Sequence, residues 1–468
     1  MMRLDLIIPL LTLLSGAILT LVIGIFLPRR RQTACAWLAA GVMTFALIAA
    51  VFQALRIAPQ TVFDGSFAAD RPLLWTLAIM LVAALAGLLL AVPVFRHDAR
   101  EAEFYVMLLF ALTGVTVLAG AADLMEILLG VLLTSVASYA LVAWRRADPM
   151  AMEAVLKYYL IGALANIALI YGLIWLYGLS GSTLLGNLGG IAVDNRFGVA
   201  LALTLVLIGL GFKAGYVPVH SWIPDVYQGT TVPVAALLSV LPKLAGVLAV
   251  ARLVTALPAE IWHWPSLIAL LAAVTMTWGN LAAYRQNDIR RLLGYSSIAQ
   301  SGYLLMAVVA MPYSTLALPG LLYYFAAYAV ANVGAFAVLA ASGRMTITGN
   351  SGLVRRHPWL VVTMAVALLS LMGLPPLAGF VAKFALFTAT VEAGYLWLTV
   401  VALINTVLSL YYYLRVLAPM VFDSERQPLD SMERWGYGVA LGCAAATVLL
   451  GLGAFAMLDY RPVLRLLH

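Results

Sequence analysis

Three of the chain's four lysines stand inside segments that are otherwise apolar. Lys213 closes the run Ala200 to Phe212. Lys243 lies about twelve residues into the run that begins at Thr231. Lys383 follows Gly373-Leu374-Pro375-Pro376-Leu377-Ala378-Gly379-Phe380-Val381-Ala382. An ammonium at mid-membrane costs roughly 3 kcal/mol or more, so it persists mainly where it lines a polar or watery path. Three such groups, with almost no fixed charge beside them, point to reversible binding of protons or ions inside a membrane. Each also has a structural reading. A lysine near a helix end snorkels to the interface, and a deeper one pairs with backbone. Depth makes snorkelling hard for Lys243, which sits near mid-membrane at a rise of about 1.5 Å per residue.

The composition sets the class of element that holds these lysines. The chain has 468 residues, 64% hydrophobic and 10% charged, with a mean hydropathy of +1.02. Soluble domains carry about 25% charged residues and do not absorb apolar runs of about 18 or more residues repeated along the whole chain. The net charge of +7 does not indicate nucleic-acid binding, because the arginines fall in short loops without an aromatic-interleaved patch. Cys35 and Cys443 both lie in apolar runs, which argues against a disulfide framework or a metal site. The first 28 residues have a basic flank but no small-residue cleavage site, and read as a retained span.

Fourteen spans are predicted, at 4–27, 33–55, 73–95, 103–120, 123–144, 154–177, 197–219, 231–252, 262–283, 292–311, 315–342, 359–388, 394–419 and 436–457. Of the 27 Lys and Arg residues, 17 fall in loops after odd-numbered spans and 7 on the other side, with the three lysines inside spans. By the positive-inside rule both termini face outward, to the periplasm if the membrane is a bacterial inner membrane. Loops of about twenty residues, around 178–196 and 421–434, are too short to bury a core of their own. The whole chain, 1–468, reads as one polytopic membrane domain. Three N-terminal helices (1–100) precede two repeats (101–255 and 256–420) and a C-terminal helix (421–468).

Two spans are predicted to break. Gly215 and Pro218 fall late in the seventh, and Pro218 cannot donate to the carbonyl four residues back. Gly373-Leu374-Pro375-Pro376-Leu377-Ala378-Gly379 interrupts the twelfth. Non-helical backbone at membrane depth is tolerated only against protein or a water-filled cavity. Its unpaired carbonyls are expected to solvate the ammonium of Lys213, and Lys383 is expected on the half-helix after the second break, facing a polar cavity on its outward side. Pro242 frees a further carbonyl beside Lys243. Paired interrupted spans point to inverted repeats. The two breaks are five spans apart, and a five-helix unit inserts its copy upside down. Spans 4–8 and 9–13 are therefore predicted to be inverted repeats in an all-α integral membrane fold.

Milder polar residues also lie in spans: Ser296, Ser297, Gln300, Ser301, Tyr303, Tyr323, Tyr324, Tyr328, Asn332, Asn405 and Tyr411 to Tyr413. They fit a water wire. They fit equally well as helix–helix hydrogen bonds, worth under about 1 kcal/mol each. His220, at the inner end of the seventh span, titrates near neutral pH as a proton-uptake group or caps the chain reversal.

Three strings carry a family resemblance. They are Phe212-Lys213 with Val217-Pro218-Val219-His220-Ser221-Trp222-Ile223-Pro224-Asp225-Val226-Tyr227-Gln228-Gly229, then Asn287 to Tyr303, and Ser370 to Phe384. From about Glu103 to Arg415 the chain resembles the antiporter-like membrane subunits of respiratory complex I, the proton-pumping NADH:quinone oxidoreductase. The Pro-Asp-Val-Tyr-Gln-Gly string favours its subunit N branch over the paralogues. The resemblance implies fourteen helices in two inverted repeats. It also implies a proton relay with Lys213 on the inward side, Lys243 at the centre and Lys383 on the outward side. FMN, iron–sulfur clusters and NADH chemistry would belong to partner subunits, with quinone bound by the complex and no cofactor in this chain. The implied partners are other membrane-arm subunits and lipid.

One position departs from the family. Where members carry Gly-Ile-Glu-Leu in the fifth span, this chain has Gly130-Val131-Leu132-Leu133. Leu132 takes the place of a glutamate that pairs with the seventh-span lysine. The nearest acid is Glu126, six residues earlier, which sits about 120° round the helix and about 9 Å along it. Without that carboxylate Lys213 loses an interaction favouring its charged form. Two further readings stay open. One is a subunit of a cation/proton antiporter, hydrogenase-linked or solute-uptake complex on the same fold. The other is a non-pumping scaffold.

Overall fold

The computed structural model describes residues 4–56, 58–191, 196–257, 263–424, 433–454 and 466. Its sixteen α-helices among the described residues are α1 (Ile8–Phe26), α2 (Thr33–Arg56), α3 (Arg71–Phe95), α4 (Glu101–Gly120), α5 (Leu124–Val142), α6 (Pro149–Ser180), α7 (Arg196–Ala214), α8 (Trp222–Gly229), α9 (Val232–Ala256), α10 (Trp264–Ala283), α11 (Ile289–Ala310), α12 (Ala317–Ser342), α13 (Pro358–Met372), α14 (Ala378–Glu392), α15 (Leu396–Phe422) and α16 (Arg434–Leu452). Among the described residues thirteen helices are long and apolar enough to cross a membrane, and the count is fourteen if the bent segment that includes α13 is taken as one span.

The breaks fall where Gly and Pro require. α7 stops at Ala214 rather than continuing to residue 219, and the path resumes in α8. The predicted span 359–388 is two half-helices, α13 and α14. Each break opens on a glycine in the left-handed region, Gly215 at φ +75° and Gly373 at φ +92°, where a side chain would be strained. The peptides before Pro218 and Pro376 are cis.

The inverted repeat leaves a second signature. Asp123 caps α5 by accepting from Met125 N, and its backbone bridges to Leu184 in the loop after α6. Asp288 caps α11 by accepting from Arg290 N, and its backbone bridges to Thr346 in the loop after α12. The same device recurs five spans later, at the opposite end of the bundle.

The helices that must position the lysines are the most enclosed. Every residue in the hydrophobic window of α9 is buried, and α11 and α12 are nearly so. α1, α2, α6 and α15 turn large apolar side chains outward, among them Phe26, Ile48, Leu164 and Val407, as a hydrocarbon-facing surface does.

Two features differ from the sequence reading. Residues 60–62 and 67–69 form a small antiparallel hairpin, β1 and β2, around Asp64-Gly65. That dipeptide is the available signal. Arg252, one of the seven basic residues counted above on the other side, is fully buried in α9. It makes a bidentate pair with Asp70, at 2.6 and 2.8 Å, and donates to Ala119 O. Asp70 also caps α3. Of the basic residues that set the orientation, Arg3, Arg426, Arg461 and Arg465 lie outside the described residues.

Candidate functional site

Lys243 lies at the centre of a polar cluster between α9, α11 and α12. Its Nζ donates to Ser297 O, to Ser297 Oγ at 2.6 Å and to Ser301 Oγ at 2.8 Å. Ser297 and Ser301 are four residues apart, so one face of α11 presents both. Ser301 Oγ in turn donates to Ala214 O, a carbonyl that the α7 break leaves free. The Tyr328 hydroxyl joins Ser297 Oγ at 2.8 Å and donates to Ser239 O. Tyr227 reaches the same serine, at 3.3 Å. The ammonium is therefore satisfied by neutral oxygens, with no carboxylate among the described residues hydrogen-bonded to it. The break is close by: a Cβ at Gly215 would stand 3.8 Å from Lys243 Cε. The carbonyl freed by Pro242 is not among the partners of Lys243.

Lys383 stands on α14, after the second break. Its Nζ donates to Met372 O at 3.0 Å, the carbonyl that ends α13, and to Thr406 Oγ1 at 3.4 Å. It lies 4.3 Å from the Tyr303 ring centroid, and the Tyr303 hydroxyl shares Thr406 at 3.1 Å. Gln300 meets the end of α13 and the face of α12. It donates to Leu371 O and accepts from the Tyr324 hydroxyl. A cavity of about 10 Å³ lies among Gln300, Tyr324, Tyr328, Gly379 and Ala382, between the surroundings of Lys243 and α14. A second cavity of about 10 Å³ is bounded by Thr134, Ser138, Leu241 and Pro242. Each approaches the volume that one water needs, about 10–15 Å³.

Lys213 differs. It is 1% exposed, which removes the snorkelling reading. Its Nζ has no hydrogen-bond partner among the described residues, so the expected carbonyl solvation is not made. α9 passes it closely at Gly246, where a Cβ would lie 3.1 Å from Lys213 Cβ. Lys213 and Lys243 are thus one helical turn apart along α9.

The acids do not reach it. Phe212 and Tyr139 both crowd the Gly162 Cβ position, so their rings fill the space between α5, α6 and α7 beside Lys213. Glu126 lies in the first turn of α5. It accepts instead from Ser66 in the hairpin turn. Leu132 is 37% exposed, on the outer face of α5. His220 lies half-buried in the loop after the α7 break, edge-on to Trp278, and its Nδ1 has no hydrogen-bond partner among the described residues. Asp225 on α8 accepts from Lys157 at 2.8 Å and Arg291 at 2.5 Å, which ties the half-helix to α6 and α11.

Sequence reasoning missed Ser239 and Thr406 as members of these clusters. Ser and Thr are ordinary in spans, and only the three-dimensional approach of α9 and α15 gives these two a role. Among the described residues no group of three or more His, Cys, Asp or Glu is placed to hold a metal.

These features define a polytopic membrane protein whose two inverted halves share a buried polar axis with three lysines. The family model described as NADH:quinone oxidoreductase/Mrp antiporter, TM, matches residues 121–409. NADH-quinone oxidoreductase subunit N 1 of Streptomyces griseus subsp. griseus is 42% identical over 97% of this chain and 96% of its own length. Subunit N of a Mycobacterium species is 41% identical over 94% of each chain. A chain of respiratory complex I from Thermus thermophilus superposes with a TM-score of 0.84 at 33% identity, covering 97% of this chain and 99% of that one. A chain of the Mrp complex from Dietzia shares the fold, with a TM-score of 0.85 at 23% identity. The chain belongs to the NADH-quinone oxidoreductase subunit N family of antiporter-like membrane subunits.

Proposed function

We propose that this subunit translocates protons in the membrane arm of an NADH:quinone oxidoreductase, through the relay Lys213, Lys243 and Lys383. The complex would couple electron transfer from NADH to quinone on partner subunits, which would carry FMN and iron–sulfur clusters, to proton movement here. The orientation that fits the loop charges puts both termini on the periplasmic side of a bacterial inner membrane. A proton is taken up on the basic side past His220 to Lys213, passes one turn along α9 to Lys243, and leaves through Gln300 and Lys383.

The observation that carries this reading is Lys243 itself. It is a buried cation held by serine hydroxyls, Ser301 links it to one break, and a water-sized cavity lies between its surroundings and the half-helix of the other break. Hydroxyls and water accept and release protons without fixing the charge. A buried carboxylate partner would favour the charged form. The unpartnered Lys213 and the apolar Leu132 favour a weakened uptake half over loss of the whole relay.

The test is purification with native partners into proteoliposomes. NADH-driven, quinone-dependent proton uptake by a complex that contains flavin and iron–sulfur subunits supports the reading. Recovery with hydrophobic antiporter subunits alone would replace it with cation/proton antiport.

A further inference from the structure

The second repeat holds a polar cluster that the relay does not use. Asn280 on α10 and Asn405 on α15 face each other. Asn280 Nδ2 donates to Asn405 Oδ1 at 2.9 Å and to Asn405 O at 3.0 Å. Asn405 Nδ2 donates to Thr277 Oγ1 at 3.1 Å and to Val401 O at 3.0 Å. The Tyr412 hydroxyl donates to Asn280 Oδ1 at 2.9 Å. Asn280 and Tyr412 are fully enclosed, Asn405 is 2% exposed, and both amides have acceptors for all their N–H groups.

Its position carries the argument. Asn405 directly precedes Thr406, the hydroxyl that Lys383 and Tyr303 share. From there α15 runs toward the basic end of the bundle, where Arg415 donates to Tyr284 O and Gln286 O. Gly279, beside Asn280, packs against Tyr295 and Ala299, on the basic side of Tyr303. Asn280 and Tyr412 therefore stand on the basic side of Lys383, with Asn405 level with the Thr406 contact. A relay that moves protons across the membrane needs Lys383 insulated from that side. Otherwise protons exchange back without work.

Amides suit that task. An apolar plug against Thr406 and Tyr303 would strand polar groups. A hydroxyl or water chain would conduct. A primary amide accepts on oxygen and donates from nitrogen, so passing a proton on would leave it as the imidic acid. We propose that Asn280, Asn405 and Tyr412 form a proton seal that closes the second repeat toward the basic end. The inference rests on the relay reading of Lys383.

The experiment measures passive proton conductance of proteoliposomes that hold the assembled complex, under an imposed gradient and without NADH. Asn280→Asp introduces a titratable group, and Asn280→Ala opens space for water. Each is expected to raise the leak roughly tenfold, the factor that about 1.4 kcal/mol off a barrier gives. NADH:quinone turnover should stay at the wild-type rate, and the leak should vanish when Lys383→Met is added. Tyr412→Phe, which removes one hydroxyl only, carries the same test if the Asn280 variants do not assemble. Assembled variants with wild-type conductance would overturn the seal, as would a leak that survives Lys383→Met. If Lys383→Met alone leaves NADH-driven pumping intact, the relay reading fails instead.

Discussion

Removing the two serine hydroxyls around Lys243 tests how the centre of the relay holds its proton. Lys243 Nζ donates to three oxygens, and Ser297→Ala with Ser301→Ala deletes two of them, those at 2.6 and 2.8 Å. A hydrogen bond to a charged group is worth roughly 1.5–3 kcal/mol, so protonated Lys243 loses about 3 kcal/mol at the lower bound. That is about a hundredfold in the population of the charged form. The serine side chains also hold the Ala214 carbonyl and the Tyr328 hydroxyl, so the double variant strands the carbonyl and leaves Tyr328 with its bond to Ser239 O. The assay is proton uptake per NADH oxidised in proteoliposomes. Uptake should fall steeply while electron transfer to quinone continues, and each single variant should fall between. Wild-type stoichiometry in the double variant would refute the claim that these hydroxyls hold the relay proton.

Other expectations follow from the same geometry. Lys383→Met should abolish the outward step, and Thr406→Val should weaken it, both read as proton uptake at constant NADH oxidation. Glu126→Gln should leave transport unchanged, because Glu126 accepts from Ser66 and makes no hydrogen bond to Lys213. Leu132→Glu should increase coupled proton transfer and make it sensitive to Lys213→Met; an unchanged rate would mean that this face of α5 does not reach Lys213. Arg252→Met should destabilise the protein by about 3–5 kcal/mol, because it leaves Asp70 charged and buried, whereas Asp70→Leu with Arg252→Met should cost far less. Thermal unfolding in detergent reads that difference.

Much of the architecture was legible because the membrane restricts the choices. Apolar runs gave the spans, and Gly215, Pro218, Gly373, Pro375 and Pro376 gave both breaks, since Gly and Pro act locally on backbone. The three lysines stood out because charge is scarce in such segments. Their partners were not legible. Whether Ser297 faces Lys243 or a lipid depends on how α9, α11 and α12 rotate against one another, and helix period alone leaves that open. The same limit hid Arg252, whose partner Asp70 lies 182 residues away. It also hid Thr406, which becomes notable only when the α13 break brings Lys383 beside it. The tyrosine triplet shows the converse: Tyr412 and Tyr413 are buried in the network, while Tyr411 is 54% exposed.

The central claim is that protons cross through Lys243, and Lys243→Met in the assembled complex tests it most directly. The substitution keeps the length of the side chain and removes its titratable group. With NADH oxidation and proton uptake recorded together, the account requires proton uptake per NADH to drop while the complex still assembles and reduces quinone. An assembled Lys243→Met complex that pumps at the wild-type ratio would contradict it.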